Sequence, residues 1–199
     1  MSELKHMLHV VASRSPDLAA LMANGRQWTL NLVAEGLIRP GLRIVDIGAG
    51  LGRLAIPLQD MGCHVHAVDS REDMVQHLRN AGVEATLCDG VPPDMMPDSH
   101  DLVLAMHVFQ HQGRHHVERL LQDMSRVAPR LLFTLPTAEA YGHRLPHDYV
   151  LGHGTDERYV HCERSFTYLE AEVPELLLAN GYSTCVRAGH NKKLWHATQ

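Results

Sequence analysis

The sequence predicts an α/β fold: a mostly parallel sheet of seven strands, with helices on both faces and an antiparallel last strand. Three observations predict it. Short β-branched runs alternate with stretches of helical period through the middle of the chain. A glycine-rich turn follows the first of these runs and opens a helix. The final two runs are separated only by Ala188 to Lys193, too short for a parallel crossover, so that pair runs antiparallel.

The elements follow in order. Ser15-Pro16-Asp17 reads as a helix start: a capping hydroxyl, a proline where no N–H is needed, then an acid near the positive end of the dipole. Leu18, Leu21 and Met22 share a face, Gly25 interrupts, and a second helical stretch runs through Trp28, Leu32 and Leu37 to Pro40-Gly41. Leu42 to Ile47 is the first buried strand. A helix carries Leu54, Leu58 and Met61, with Pro57 in its first turn at the expense of one hydrogen bond. His64 to Asp69 is the second strand, and Ser70-x-x-Asp73 resembles a capping box before Met74, Leu78 and Ala81. Val83 to Cys88 is the third strand, and Asp101 to Met106 the fourth, after a proline-punctuated loop. Val117, Leu120, Leu121, Met124 and Val127 repeat at helical spacing before the fifth strand, Arg130 to Thr134. Thr167-x-x-Glu170 opens a late helix that Pro174 splits and Asn180-Gly181 closes. Ser183 to Arg187 and Leu194 to Thr198 complete the sheet.

The chain's 199 residues are 45% apolar and 21% charged, a globular composition that suits one domain, 1–199. A formal charge of −5 argues against a strongly basic nucleic-acid binder. With 16 histidines, that balance moves toward positive in mild acid. Met1 to Val10 reads as neither signal peptide nor membrane span, and no run approaches the ~18 apolar residues of a spanning helix. Cys63, Cys88, Cys162 and Cys185 form no C-x-x-C pair, so reduced thiols and a cytoplasmic location are expected.

The chemistry concentrates at Asp46-Ile47-Gly48-Ala49-Gly50-Leu51-Gly52. Three glycines at alternate positions after a strand let the backbone turn tightly and approach a ligand at the carboxyl end of the sheet. The dinucleotide fingerprint needs a third glycine at position 53, which is Arg, and a P-loop needs Lys-Ser/Thr, which is missing. The pattern led by Asp46 instead resembles motif I of class I S-adenosylmethionine-dependent methyltransferases, within the small-molecule, UbiE-like group.

The resemblance covers roughly residues 40 to 199 and implies the rest. The fold would be Rossmann-like and the cofactor S-adenosylmethionine. Asp46, Gly48, Ala49, Gly50 and Gly52 would form the cofactor loop, with Ser70, Met74 and Met106 adjoining. Asp69, 21 residues after Gly48, would accept hydrogen bonds from the ribose hydroxyls, and Asp89-Gly90 would bind the adenine amino group. Ala128-Pro129-Arg130 is shorter than the Pro-Gly-Gly turn of many relatives, a departure remote from that site. The chain would then divide into an N-terminal helical segment, 1–40, a cofactor-binding half, 41–136, and an acceptor-side segment, 137–199.

The reaction implied is methyl transfer to an oxygen or nitrogen of a small molecule. Met106-His107-Val108-Phe109 is not the D/N/S-P-P-Y/F/W signature of base amino methylation. No cysteine suits RNA carbon methylation, no double-glutamate loop suits arginine methylation, and no aspartates end strands four and five for a catechol-type metal. An RNA methyltransferase, a noncatalytic cofactor-binding protein and, further off, a nicotinamide dehydrogenase are the alternatives. The sequence leaves the oligomeric state open.

His107 and His111 follow the fourth strand, where the resemblance places the methyl donor, and are the candidates for a general base. Thr137 to Ser165 holds Tyr141, Tyr149 and Tyr159 with His143, His147, His153 and His161, and is expected to cap the acceptor pocket. Pro146 breaks the helical spacing between His143 and His147, so no metal site is expected there.

Overall fold

A computed structural model describes residues 17–135, 137, 168–188 and 194–199. Seven strands form a sheet of order β3-β2-β1-β4-β5-β7-β6, and the chain divides into two compact units, Met1–Pro92 and Pro93–Gln199.

In the first unit, α1 (Leu18–Ala34) is capped by Asp17, whose carboxylate accepts from the Ala20 N–H at 2.8 Å. Ser15 and Pro16 lie outside the described residues. Gly25 does not interrupt this helix. Leu21, Gly25, Thr29 and Leu32 recur every three or four residues as its buried stripe, so the glycine sits in the packed face. Gly36, at φ 70°, turns the chain out of the helix, and the Leu37 N–H returns to the Leu32 carbonyl at 2.9 Å.

Strand β1 (Arg43–Ile47) pairs in parallel with β2 (His64–Asp69), and β2 with β3 (Glu84–Leu87). Helix α2 (Ala55–Asp60) connects the first pair, and α3 (Glu72–Asn80) the second. Pro57 is the third residue of α2, where an N–H has no intrahelical partner, so it removes no bond. The expected capping box does not form. Arg71, not Ser70, occupies the N-cap and gives no side-chain cap; Asp73 instead pairs with the Arg71 guanidinium and accepts from the Met74 N–H.

In the second unit, β4 (Leu102–Ala105) is buried along its whole length, as a strand covered on both faces must be. A single 3₁₀ turn, Phe109–His111, precedes α4 (Arg114–Val127), whose buried Val117, Leu120, Leu121, Met124 and Val127 are the predicted stripe. Strand β5 (Arg130–Thr134) pairs in parallel with β4. Helix α5 (Glu172–Leu178) begins later than the sequence suggests, and Pro174 lies in its first turn, so it does not split the helix. Strand β7 (Leu194–Thr198) lies between β5 and β6 (Thr184–Arg187) and runs antiparallel to both. Phe133 packs tilted on Phe109 at 5.5 Å and stacks on Trp195 at 6.4 Å.

Candidate functional site

The site begins where β1 and β2 end. Gly48, Gly50 and Gly52 hold φ values of 69°, 55° and 75°, the left-handed region that a side chain resists. The loop turns three times within five residues, and glycine is what permits it.

The loop's amides are turned onto the protein itself. Gly48 N–H and Ala49 N–H both donate to the Val68 carbonyl, at 2.8 and 3.1 Å. Gly52 N–H donates to the Ala49 carbonyl at 3.0 Å, and Gly50 N–H to Asp69 Oδ2 at 2.8 Å. A phosphate cradle needs such N–H groups aimed at the ligand. Here four of them are already engaged, and two buried carboxylates, Asp46 on β1 and Asp69 at the end of β2, flank the turn. Both features disfavour a pyrophosphate.

Asp69 is almost wholly buried at the end of β2. Its Oδ2 accepts from Gly50 N–H and its Oδ1 from Arg71 N–H at 3.0 Å. Each carboxylate oxygen has capacity for a second donor, such as a hydroxyl. Burial raises its affinity for a proton, and the two backbone N–H groups oppose that rise. Asp46 is 3% exposed, and burial pushes its carboxyl up to about 7. The Arg53 charge pulls that value down and the Asp69 charge pushes it up.

The remaining sequence candidates fall into different settings. Met74 is fully buried in an apolar cluster with Leu21 and Leu51. Ser70 and Asp89 are exposed, and Gly90 adopts φ 123° just past β3. The Cys88 N–H bonds to the Asp69 carbonyl at 3.0 Å, which holds the start of the Asp89 turn against β2.

In the second unit, Met106 is buried, and His107 is exposed with a left-handed φ of 65°. That is an uncommon backbone for histidine. Its N–H donates to the buried Thr134 Oγ1 at 2.7 Å. Gln110 joins two rings: its Oε1 lies 3.4 Å from His107 Nδ1 and its Nε2 3.0 Å from His111 Nε2. Among the described residues no group of three or more His, Cys, Asp or Glu could hold a metal ion, and no helix is long and apolar enough to cross a membrane. His143, His147, His153, His161 and the expected capping segment after Thr137 lie outside the described residues.

Two residues carry more structure than their sequence signals suggest. Arg53 stands where a dinucleotide fingerprint has glycine, and its guanidinium bonds Asn24 on α1. Gly25 lies against the Arg53 backbone. A glycine inside a helical pattern is the only sequence signal for this contact, because it usually has a packing reason.

The stretch that holds the glycine loop also resembles known proteins. Residues 44–129 match the methyltransferase domain family. Magnesium-protoporphyrin O-methyltransferase of Synechocystis is 27% identical over 80% of this chain and 72% of its own length. Trans-aconitate 2-methyltransferase of Mycolicibacterium gilvum is 32% identical over 78% of this chain and 60% of its own. Among solved structures, the magnesium protoporphyrin IX methyltransferase of Synechocystis with bound SAM aligns at a TM-score of 0.64 and 19% identity, covering 98% of this chain and 90% of that one. That last likeness is one of fold.

Proposed function

We propose that the chain is a class I S-adenosylmethionine-dependent methyltransferase, as its match to the methyltransferase domain family and its named relatives support, and that it transfers a methyl group from S-adenosylmethionine to an oxygen or nitrogen of a small-molecule acceptor. The observation that carries the cofactor assignment is the Gly50–Asp69 bond at 2.8 Å within a loop four of whose amides are already engaged. That loop suits a nucleoside recognised by its sugar rather than a pyrophosphate held by backbone N–H groups.

The left-handed glycines of the loop would let the backbone come close to the cofactor. Asp69, fixed by two backbone donors, has acceptor capacity for two ribose hydroxyls. On this reading Asp89 and Gly90, just past β3, would bind the adenine, and Met106, the residue after β4, would adjoin the cofactor. The cofactor supplies a methyl group on a sulfonium, a leaving group that needs no acid. The protein's part is therefore alignment and exclusion of water. His107 or His111 takes a proton only when the acceptor arrives protonated. The relatives act on small molecules by name, a porphyrin and an aconitate, and this supports a small-molecule acceptor.

Calorimetric titration with S-adenosylhomocysteine and with NAD tests the cofactor. Binding of the first and not the second is expected, and the reverse sinks the assignment. Transfer of labelled methyl across a panel of metabolites and RNAs tests the acceptor. Label on a metabolite supports the reading, and label only on RNA overturns it.

A further inference from the structure

Helix α1 contributes none of the motif residues, yet it meets the glycine loop at its most crowded point. A Cβ added to Gly25 would lie 1.7 Å from the Arg53 carbonyl oxygen, 2.8 Å from its carbonyl carbon and 2.9 Å from its Cγ. No side chain fits there. Glycine weakens a helix interior relative to alanine, so this position exchanges helix propensity for contact with the loop.

The Arg53 side chain closes the contact from the other end. Its Nη1 donates to Asn24 Oδ1 at 2.9 Å, and its guanidinium carbon lies 5.5 Å from the centre of the Trp28 ring. Asn24, Gly25 and Trp28 occupy little more than one turn of α1, so a single turn grips both the backbone and the side chain of one residue. On the loop's far side, the absent Cβ of Gly52 would meet Leu78 Cδ2 at 2.8 Å and Ile56 at 2.9 Å, so α3 and α2 also press on it. Arg53 further favours the charged form of the buried Asp46 beside it.

We infer that Arg53 is a positioning residue: with Asn24, Gly25 and Trp28 it clamps α1 onto the glycine loop, presets that loop, and couples its occupancy to the docking of α1. The coupling to occupancy rests on the proposed cofactor; the clamp does not. By linkage, a ligand that requires the preset loop must also strengthen the hold on α1.

Two arms test this on the full chain. Without ligand, amide exchange at Gly50 and Gly52 is expected to quicken in Arg53→Met and Gly25→Ala, while circular dichroism shows the fold retained. Arg53→Lys, which keeps the charge over Trp28, is expected to recover part of the protection. With ligand, Trp195→Phe leaves Trp28 as the reporter, since the chain has two tryptophans. S-adenosylhomocysteine should shift its emission, and adding Arg53→Met should remove the shift and weaken binding roughly 10-fold. Should Gly25→Ala fail to fold, Arg53→Met and Asn24→Ala carry the test. Wild-type exchange and wild-type affinity in Arg53→Met would overturn the inference. Quickened exchange in a protein that never binds S-adenosylhomocysteine would uphold the clamp and defeat the cofactor reading instead.

Discussion

The turn after β1 and the turn after β4 both end a buried parallel strand, and they are held in different ways. At the first, backbone N–H groups donate to a backbone carbonyl or to a buried carboxylate, and glycine takes every left-handed position. At the second, a histidine takes the left-handed position, held by the Thr134 hydroxyl and a Gln110 amide. The first arrangement depends on residues that almost nothing else can replace. The second depends on side chains that can be exchanged while the backbone persists. A ligand shared by many enzymes suits the first, and an acceptor that differs between enzymes suits the second.

The largest effect expected is at Asp69. Asp69→Ala strips a charged acceptor from both Gly50 N–H and Arg71 N–H, each bond worth roughly 1.5–3 kcal/mol. Affinity for S-adenosylhomocysteine should fall by about 100-fold or more, with a lower melting temperature. Asp69→Asn, which keeps one oxygen, should fall between. Wild-type titration curves for both would break the contrast at its stronger end.

Asp46 sharpens the contrast through pH. Burial holds its carboxyl at about 7 in the folded chain, against roughly 3.9 unfolded. The folded state thus keeps a proton that the unfolded chain has released. The resulting stability is complete below about pH 4 and is lost as pH rises through about 7. Asp46→Asn lacks this loss. Its stability relative to wild type should therefore improve between about pH 4 and about pH 8, by on the order of 4 kcal/mol. Urea unfolding at both ends of that range measures the change, and a difference independent of pH would rule the burial effect out.

At the second turn the effects are smaller. Thr134→Val removes the acceptor for His107 N–H and should cost about 1–2 kcal/mol of unfolding free energy. His107→Gly should gain about 1 kcal/mol, because glycine occupies φ 65° without the Cβ penalty. His107→Ala keeps that penalty, so comparing the two variants separates backbone from imidazole. In single-turnover methyl transfer, equal loss in both would assign the role to the ring, and unchanged rates across pH would remove His107 as a base.

Much of this was legible in the residues. β2, β5 and β7 match their predicted bounds, and the other strands are shorter by one residue at one or both ends, because β-branched runs with turn residues on either side leave little choice of period. The glycine loop was legible for the same local reason. What escaped was tertiary. Gly25 reads as a helix break by propensity, and only the contact with Arg53 explains why the helix continues through it. Ser70 and Asp73 have capping-box spacing, but the Arg71 guanidinium competes for the same carboxylate. Met74 has the spacing of a site residue and equally that of a core residue, and its environment, not its identity, places it in the cluster with Leu21 and Leu51.

The placement of β7 bears on the order in which the second unit assembles. The strand that comes last in sequence lies inside, and the earlier β6 reaches the sheet only through it. β6 therefore has nothing to dock on until β7 is present, whereas the two can find each other across the six residues Ala188 to Lys193. Closing so short a loop takes far less chain entropy than bringing β7 alone to β5 across some sixty residues. The pair is thus built to zip together first and to join β5 as a ready-made hairpin, which keeps a long-range pairing from becoming the slow step twice over.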